Sequence, residues 1–130
     1  MTDDEQSIRT LVATWHSSTA AGNVDGVLPL MADDVVFLVA GHPPMRGRAA
    51  FEKGLRGLLA THRIQSESVI EEIEVAGSLA YCWSSLKVTM TPLAGGGPSV
   101  RSGPALSILH RQDDRSWVVV RDANLLTESP

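Results

Sequence analysis

The sequence predicts an α+β fold, and three observations predict it. Up to about residue 61 apolar residues recur at helical spacing, as in Ile8, Leu11, Val12 and Trp15; a stripe of that period gives a helix one buried face. From Ile64 onward the period becomes two, over segments 64–76, 79–91, 99–111 and 117–126, the alternation of strands with one face covered. The joints between those segments are short and rich in turn residues: Gly77-Ser78, Ala94-Gly95-Gly96-Gly97-Pro98 and Asp113-Asp114-Arg115-Ser116. They read as hairpins. Helices followed by a meander of antiparallel strands define the class.

Each element has its own signals. Thr2 and Glu5 stand at capping-box spacing, so the first helix starts at the N-terminus. Gly22 stops it, because glycine accepts the left-handed cap conformation. Asn23 caps a second, short helix carrying Val27, Leu28, Leu30 and Met31, which Pro29 distorts. The apolar run Val35 to Ala40 has the length of a buried strand, and the loop Gly41 to Gly47 follows it. A third helix runs from about Arg48 to Thr61, with Phe51, Leu55, Leu58 and Leu59 inward. Gly54 and Gly57 weaken it by roughly 1 kcal/mol each relative to alanine and let a neighbour come close. Pro104 cannot donate to a ladder, so a bulge or bend is expected there.

Size and composition narrow the function classes. The 130 residues form one domain, 1–130, large enough for a core and a small cavity. A net charge of −4, with no basic stripe, argues against nucleic acid. No apolar run reaches the ~20 residues that span a bilayer. The acidic start Met1-Thr2-Asp3-Asp4-Glu5 lacks the basic and apolar regions of a secretory signal. Cys82 is the only cysteine, which suits a reducing, cytoplasmic setting.

The chemistry concentrates in the last strand. Strict alternation places Val118, Val120, Asp122 and Asn124 on one face. If that face is internal, a carboxylate and an amide stand among apolar side chains. Burial disfavours the charged form and raises the carboxyl's pKa toward neutrality, where it can act as general acid or base. The competing reading is a structural carboxylate tied to Trp15, a backbone amide, Arg46 or Arg121. Asn124 could orient a carbonyl or hold a water beside Asp122. Asp33 and Asp34 lie between a helix end and a strand, where turn chemistry explains them.

Three strings carry a resemblance. Ala20-Ala21-Gly22-Asn23-Val24-Asp25-Gly26 with Leu30-Met31-Ala32-Asp33-Asp34-Val35 resembles the opening of the nuclear transport factor 2-like superfamily, and Trp117-Val118-Val119-Val120-Arg121-Asp122 its closing strand. Within it the chain is most similar to the SnoaL-like and SgcJ/EcaC-like small proteins, often linked to secondary metabolism. The resemblance implies three helices on a strongly curved, cystatin-like antiparallel sheet whose concave face forms a conical pocket. It implies no single function, because the fold hosts isomerases, cyclases, dehydratases and binders. The steroid isomerase of the superfamily would place its tyrosine donor on Trp15, its base on Val39 and its second donor on Leu106. None of these residues keeps that chemistry, so that mechanism is disfavoured. An acid/base aspartate of SnoaL-like cyclases corresponds to Asp122.

The resulting expectation is a cofactor-independent protein, without a metal site, that holds a small apolar organic ligand. It uses Asp122, Asn124 and His42 for isomerisation, cyclisation or dehydration. His42 enters because the resemblance puts its loop near the pocket mouth and a histidine titrates near neutral pH. Trp15, Met31, Phe37, Val39, Phe51, Leu55, Tyr81, Trp83, Leu106 and Val120 are the candidate pocket wall, although plain core packing explains any one of them. The alternative is a non-catalytic binding or association module with Asp122 neutralised by protein partners. A homodimer is also expected, from Trp117, Val119, Leu109 and Ala105 on the outward face of the strands.

Overall fold

The hydroxyl of Thr2 accepts the N–H of Glu5 and opens helix α1, Asp3–Ala20. Gly22, at φ 71°, turns the chain out of it. The Asn23 side chain then accepts from Gly26 N–H and starts α2, Val24–Val27. Pro29 sits in the tighter 3₁₀ turn Leu28–Leu30 that replaces further α-helix. Met31 therefore begins strand β1, Met31–Val39, instead of closing the second helix. Strand β2 is Met45–Arg46, and α3 is Arg48–Leu59. The meander follows as β3 His62–Ala76, β4 Leu79–Pro92, β5 Ser99–Arg111 and β6 Trp117–Asn124, with a short β7, Thr127–Glu128. The chain is seen here in a computed structural model that describes residues 2–129.

The strands form one curved, unclosed sheet in the order β2-β1-β6-β5-β4-β3, with β7 beside β5. It is mixed and not wholly antiparallel, since β1 pairs with β6 in parallel. The reason is directional. Passage through α3 reverses the chain between β1 and β3, and three hairpins reverse it again. The last strand thus reaches β1 running the same way.

A one-residue irregularity in β6 controls everything that follows. The β5–β6 ladder begins Arg111–Trp117, His110–Val118, Leu109–Val119, and resumes as Ile108–Arg121 and Ser107–Asp122. One residue, Val120, is inserted, and a bulge of this kind breaks the alternation of faces. Without it, Asp122 would stand opposite Leu106; with it, Asp122 stands opposite Ser107. The expected shared face of Val118, Val120 and Asp122 is therefore incorrect. Asp122 and Asn124 share the concave face with Val119 and Trp117.

That correction removes the stated basis for an apolar outward face. Trp117, Val119 and Leu109 are buried in the core cluster, and Ala105 faces the concave side. The Trp117 indole donates to Asp4 on α1 at 3.0 Å, tying the helix to the sheet. The bulge or bend expected at Pro104 is also absent from its ladder, where Pro104 keeps register with Ser85. Its missing donor does no harm because β6 has ended opposite Ala105 and β7 begins opposite Ser102. The intervening Leu125–Leu126 crosses Gly103 so closely that a Cβ there would lie 2.7 Å from the Leu125 carbonyl oxygen.

The core fills the space between helices and sheet at one end of the molecule. Ile8, Val27, Met31, Val35 and Leu109 are fully buried there. Removing such side chains from water contributes roughly 1.5–3 kcal/mol apiece. The other end of the concave face is not filled.

Candidate functional site

The concave face leaves a cavity of ≈ 450 Å³. That lies within the range, roughly 300–1,000 Å³, of sites for small organic molecules. Its roof is helical: α1 contributes Leu11, Val12, Trp15, His16 and Thr19, and α3 contributes Phe51, Leu55 and Leu58. Helical spacing puts these residues on one face of each helix. Gly54 also faces the cavity, where an added Cβ would come to 3.4 Å of the Met45 methyl, whereas Gly57 faces open space and admits no close neighbour.

Phe37 and Val39 on β1 complete an aromatic wall. Trp15 meets Phe37 and Phe51 edge-on at centroid distances of 6.1 and 5.7 Å, and the two phenylalanines stack at 4.8 Å. Arrangements of this kind add roughly 0.5–1.5 kcal/mol per pair beyond their buried area. They also present a flat apolar surface to the cavity.

The floor opposite is small and polar. Cross-strand register aligns Phe37, Asp122, Ser107 and Cys82 in one row, and Val39, Asn124, Ala105 and Ser84 in the next. All eight line the cavity. Ser107 Oγ donates to Asp122 Oδ2 at 2.7 Å. Asn124 Oδ1 accepts the Leu126 N–H at 2.9 Å. That bond fixes the amide with its Nδ2 donors unused by any protein acceptor among the described residues.

Enclosure decides the state of Asp122. By surface area the residue is only half-buried, because the cavity touches it, but protein surrounds its carboxyl on nearly every other side. Loss of hydration pushes its pKa up to about 6, against a smaller lowering influence from the Ser107 hydrogen bond. No lysine or arginine lines the cavity to hold the carboxylate charged. Neither Arg46 nor Arg121 pairs with it; Arg121 instead donates to the Asp34 and Val120 carbonyls. Across the cavity, His16 Nε2 lies 3.1 Å from Ser68 Oγ, and burial lowers the imidazole pKa, which favours the neutral ring.

Of the residues singled out from the sequence, Trp15, Phe37, Val39, Phe51, Leu55, Asp122 and Asn124 come together around this cavity. The others do not. Met31 is fully buried in the packed core. Tyr81, Trp83 and Leu106 lie on the convex face, alternating with Cys82, Ser84, Ala105 and Ser107 inside; Trp83 and Leu106 are 37% and 39% exposed. Val120 is the inserted residue of the bulge and does not reach the cavity. His42 is exposed in the loop after β1, where its N–H donates to the Val39 carbonyl, and it does not line the cavity. Sequence reasoning missed His16, Ser68 and Ser107. His16 carried a usable signal, since it falls beside Trp15 on the inner stripe of α1. Among the described residues no three of His, Cys, Asp or Glu converge as a metal site, and no helix is long and apolar enough to cross a membrane.

Three helices against a curved mixed sheet, with a polar-floored cone between them, define the nuclear transport factor 2-like, cystatin-like class. The SnoaL-like domain model matches residues 9–119, and the chain belongs to that family. A conserved protein from Planctomyces limnophilus is similar at 32% identity and a TM-score of 0.93, over 97% of this chain and 98% of that one. A ketosteroid isomerase-like protein from Erwinia carotovora atroseptica shares the fold at 18% identity and a TM-score of 0.83, over 100% of both chains. So does a nuclear transport factor 2-like superfamily protein from Salmonella enterica, at 13% identity and a TM-score of 0.81, over 98% of this chain and 92% of that one. No curated protein matches the sequence.

Proposed function

We propose that this protein binds a small, largely apolar organic molecule in the cone and moves a proton on it, with Asp122 as general acid/base. The observation that carries this reading is an enclosed carboxyl beside open space, held among the described residues by one side-chain hydrogen bond, from Ser107. A group with a pKa near the working pH is present in both protonation states, which suits proton transfer. As carboxylate, Asp122 takes a proton from a carbon next to a carbonyl and returns it at another atom, giving isomerisation. As carboxylic acid, it protonates a departing hydroxyl, and the carboxylate so formed takes the proton from the neighbouring carbon as the C=C bond forms, which completes dehydration. Asn124 Nδ2 and the Trp15 indole N–H, both on residues that line the cavity, are the donors this reading assigns to an oxyanion. The non-catalytic binder is the alternative, in which the same cavity holds its ligand unchanged.

The test needs no knowledge of the natural substrate. β-Tetralone in deuterated water reports proton abstraction as loss of its α-proton signals by NMR. Wild-type protein should speed that exchange, with a rate that rises as a group titrating near 6 loses its proton. Asp122→Asn should remove the acceleration while the fold survives. Equal exchange with the variant would take Asp122 out of the mechanism, and bound ketone without exchange would favour the binder.

A homodimer remains part of the proposal, on different residues from those first expected. Leu38, Ala123, Leu106 and Trp83 stand in register across β1, β6, β5 and β4 on the convex face. Leu38 is 46% exposed, and a two-fold axis would let this row cover its own copy. Sedimentation of wild type as a dimer and of Leu106→Glu as a monomer is the expected pair of results. A wild-type monomer at micromolar concentration would exclude it.

A further inference from the structure

We infer that the cavity has two polar poles, and that its ligand is an uncharged molecule with an oxygen function at each end, one met by Asp122 and Asn124 and the other by His16 and Ser68. His16 is then the residue that sets specificity. This rests on the cavity being the ligand site, as proposed above, but it does not require that Asp122 performs chemistry.

Placement comes first. Asp122 lies on β6 and Ser68 on β3, with β5 and β4 between them. Three strand spacings come to roughly 14 Å across the sheet, and Ser68 also stands four residues along it, opposite Leu86, where the row of Asp122 meets Cys82. The floor between them is Ser84 and Ala105, which are short and leave the cavity open from pole to pole. Helix α1 brings His16 down onto Ser68 at the far side, one residue after the aromatic wall ends at Trp15.

The unused hydrogen-bonding capacity comes next. Only Nε2 of His16 meets a protein group, and Nδ1 has no protein partner among the described residues. No carboxylate and no cation lines that side of the cavity. At the other pole the Nδ2 of Asn124 is likewise unused. Polar groups that keep free capacity on residues lining a cavity can meet a ligand or water there. Two such sets, at opposite ends of a chamber whose wall is three aromatic rings, match a rigid apolar body with two polar ends.

Charge selects further. An anionic ligand would meet the Asp122 carboxylate with no lysine or arginine lining the cavity to balance it. A neutral imidazole and a carboxyl that is easily protonated favour hydroxyl or carbonyl oxygens, which can accept or donate at either pole.

The experiment compares p,p′-biphenol, which has a hydroxyl at each end, with p-phenylphenol, which has one, by calorimetric titration into the full chain. Wild type should bind the biphenol about fivefold more tightly, the effect of one neutral hydrogen bond. His16→Phe keeps the ring volume but should abolish that preference, and so should Ser68→Ala on the sheet, which guards against a helix variant that fails to fold. The His16 ring protons should shift on adding biphenol and not on adding p-phenylphenol. A preference absent from wild type, or retained in both variants, overturns the second pole while leaving the role of Asp122 to the exchange assay. Binding of neither probe overturns both the pole and the ligand site.

Discussion

The same three strands build two regions of opposite character. At the packed end, β4 offers Ala80, β5 offers Leu109 and β6 offers Val119, which join Ile8, Val27, Met31 and Val35 in the core, while Leu109 and Val119 also border the cavity. A few residues along, the same strands present Ser84, Ala105, Ser107, Asp122 and Asn124, and the space stays open. The Val120 bulge separates the two on β6, and across it side-chain volume and polarity change. The difference teaches that the site depends on side-chain size as well as on the course of the backbone. The stretch of floor that carries serine and alanine is where Asp122 stands, the one carboxylate among the described residues that line the cavity.

Truncations should divide along that line. Met31→Ala, at the packed end, should lower stability by about 2–5 kcal/mol, because the cavity left behind cannot collapse; urea denaturation measures it. Such a loss of similar size from Ala105→Gly at the open end would erase the distinction. Next in size is the effect of pH. Asp122 binds its proton more tightly folded than unfolded, so its contribution is fully favourable below about pH 4 and is lost as pH rises through about 6. The displacement corresponds to about 3 kcal/mol. Asp122→Asn should therefore gain on wild type in urea midpoint between pH 4 and pH 7, and parallel pH profiles would contradict it.

How much of this was legible in the sequence follows from the physics of each element. The strands β3 to β6 were placed within two residues, because alternation and hairpin turns are local signals. The bulge at Val120 was not, since nothing in Val118-Val119-Val120 tells three valines apart. That single insertion moved Trp117 and Val119 inside and exchanged Leu106 for Ser107 as the neighbour of Asp122. Asp122 itself was found for a reason that failed, alternation with Val120, and is inside for a different one. On β4 the choice of face was readable: Lys87, Thr89 and Thr91 share the side of Tyr81 and Trp83, while Leu86, Val88 and Met90 share that of Cys82. Aromatic size outweighed that signal. The parallel pairing of β1 with β6 depends on contacts between the two ends of the chain, which no local pattern reports.

Smaller effects sharpen the comparison. Ser107→Ala removes the hydrogen bond that holds the Asp122 pKa down, so the midpoint of any Asp122-dependent rate should move above about 6; a midpoint that falls would contradict the assignment. At the packed end, Trp117→Phe keeps the buried ring but loses the bond to Asp4. About 1 kcal/mol of stability should go with it, with β-tetralone exchange untouched.

The central claim concerns a single ionisation. Carboxyl-carbon NMR of protein labelled at aspartate, with the Asp122 signal assigned by its absence from Asp122→Asn, follows that group directly through pH 3 to 8. A midpoint near 6 is the predicted result. A midpoint in the ordinary aspartate range, near 4, would mean that water reaches the carboxyl freely and that the cone gives it no special chemistry.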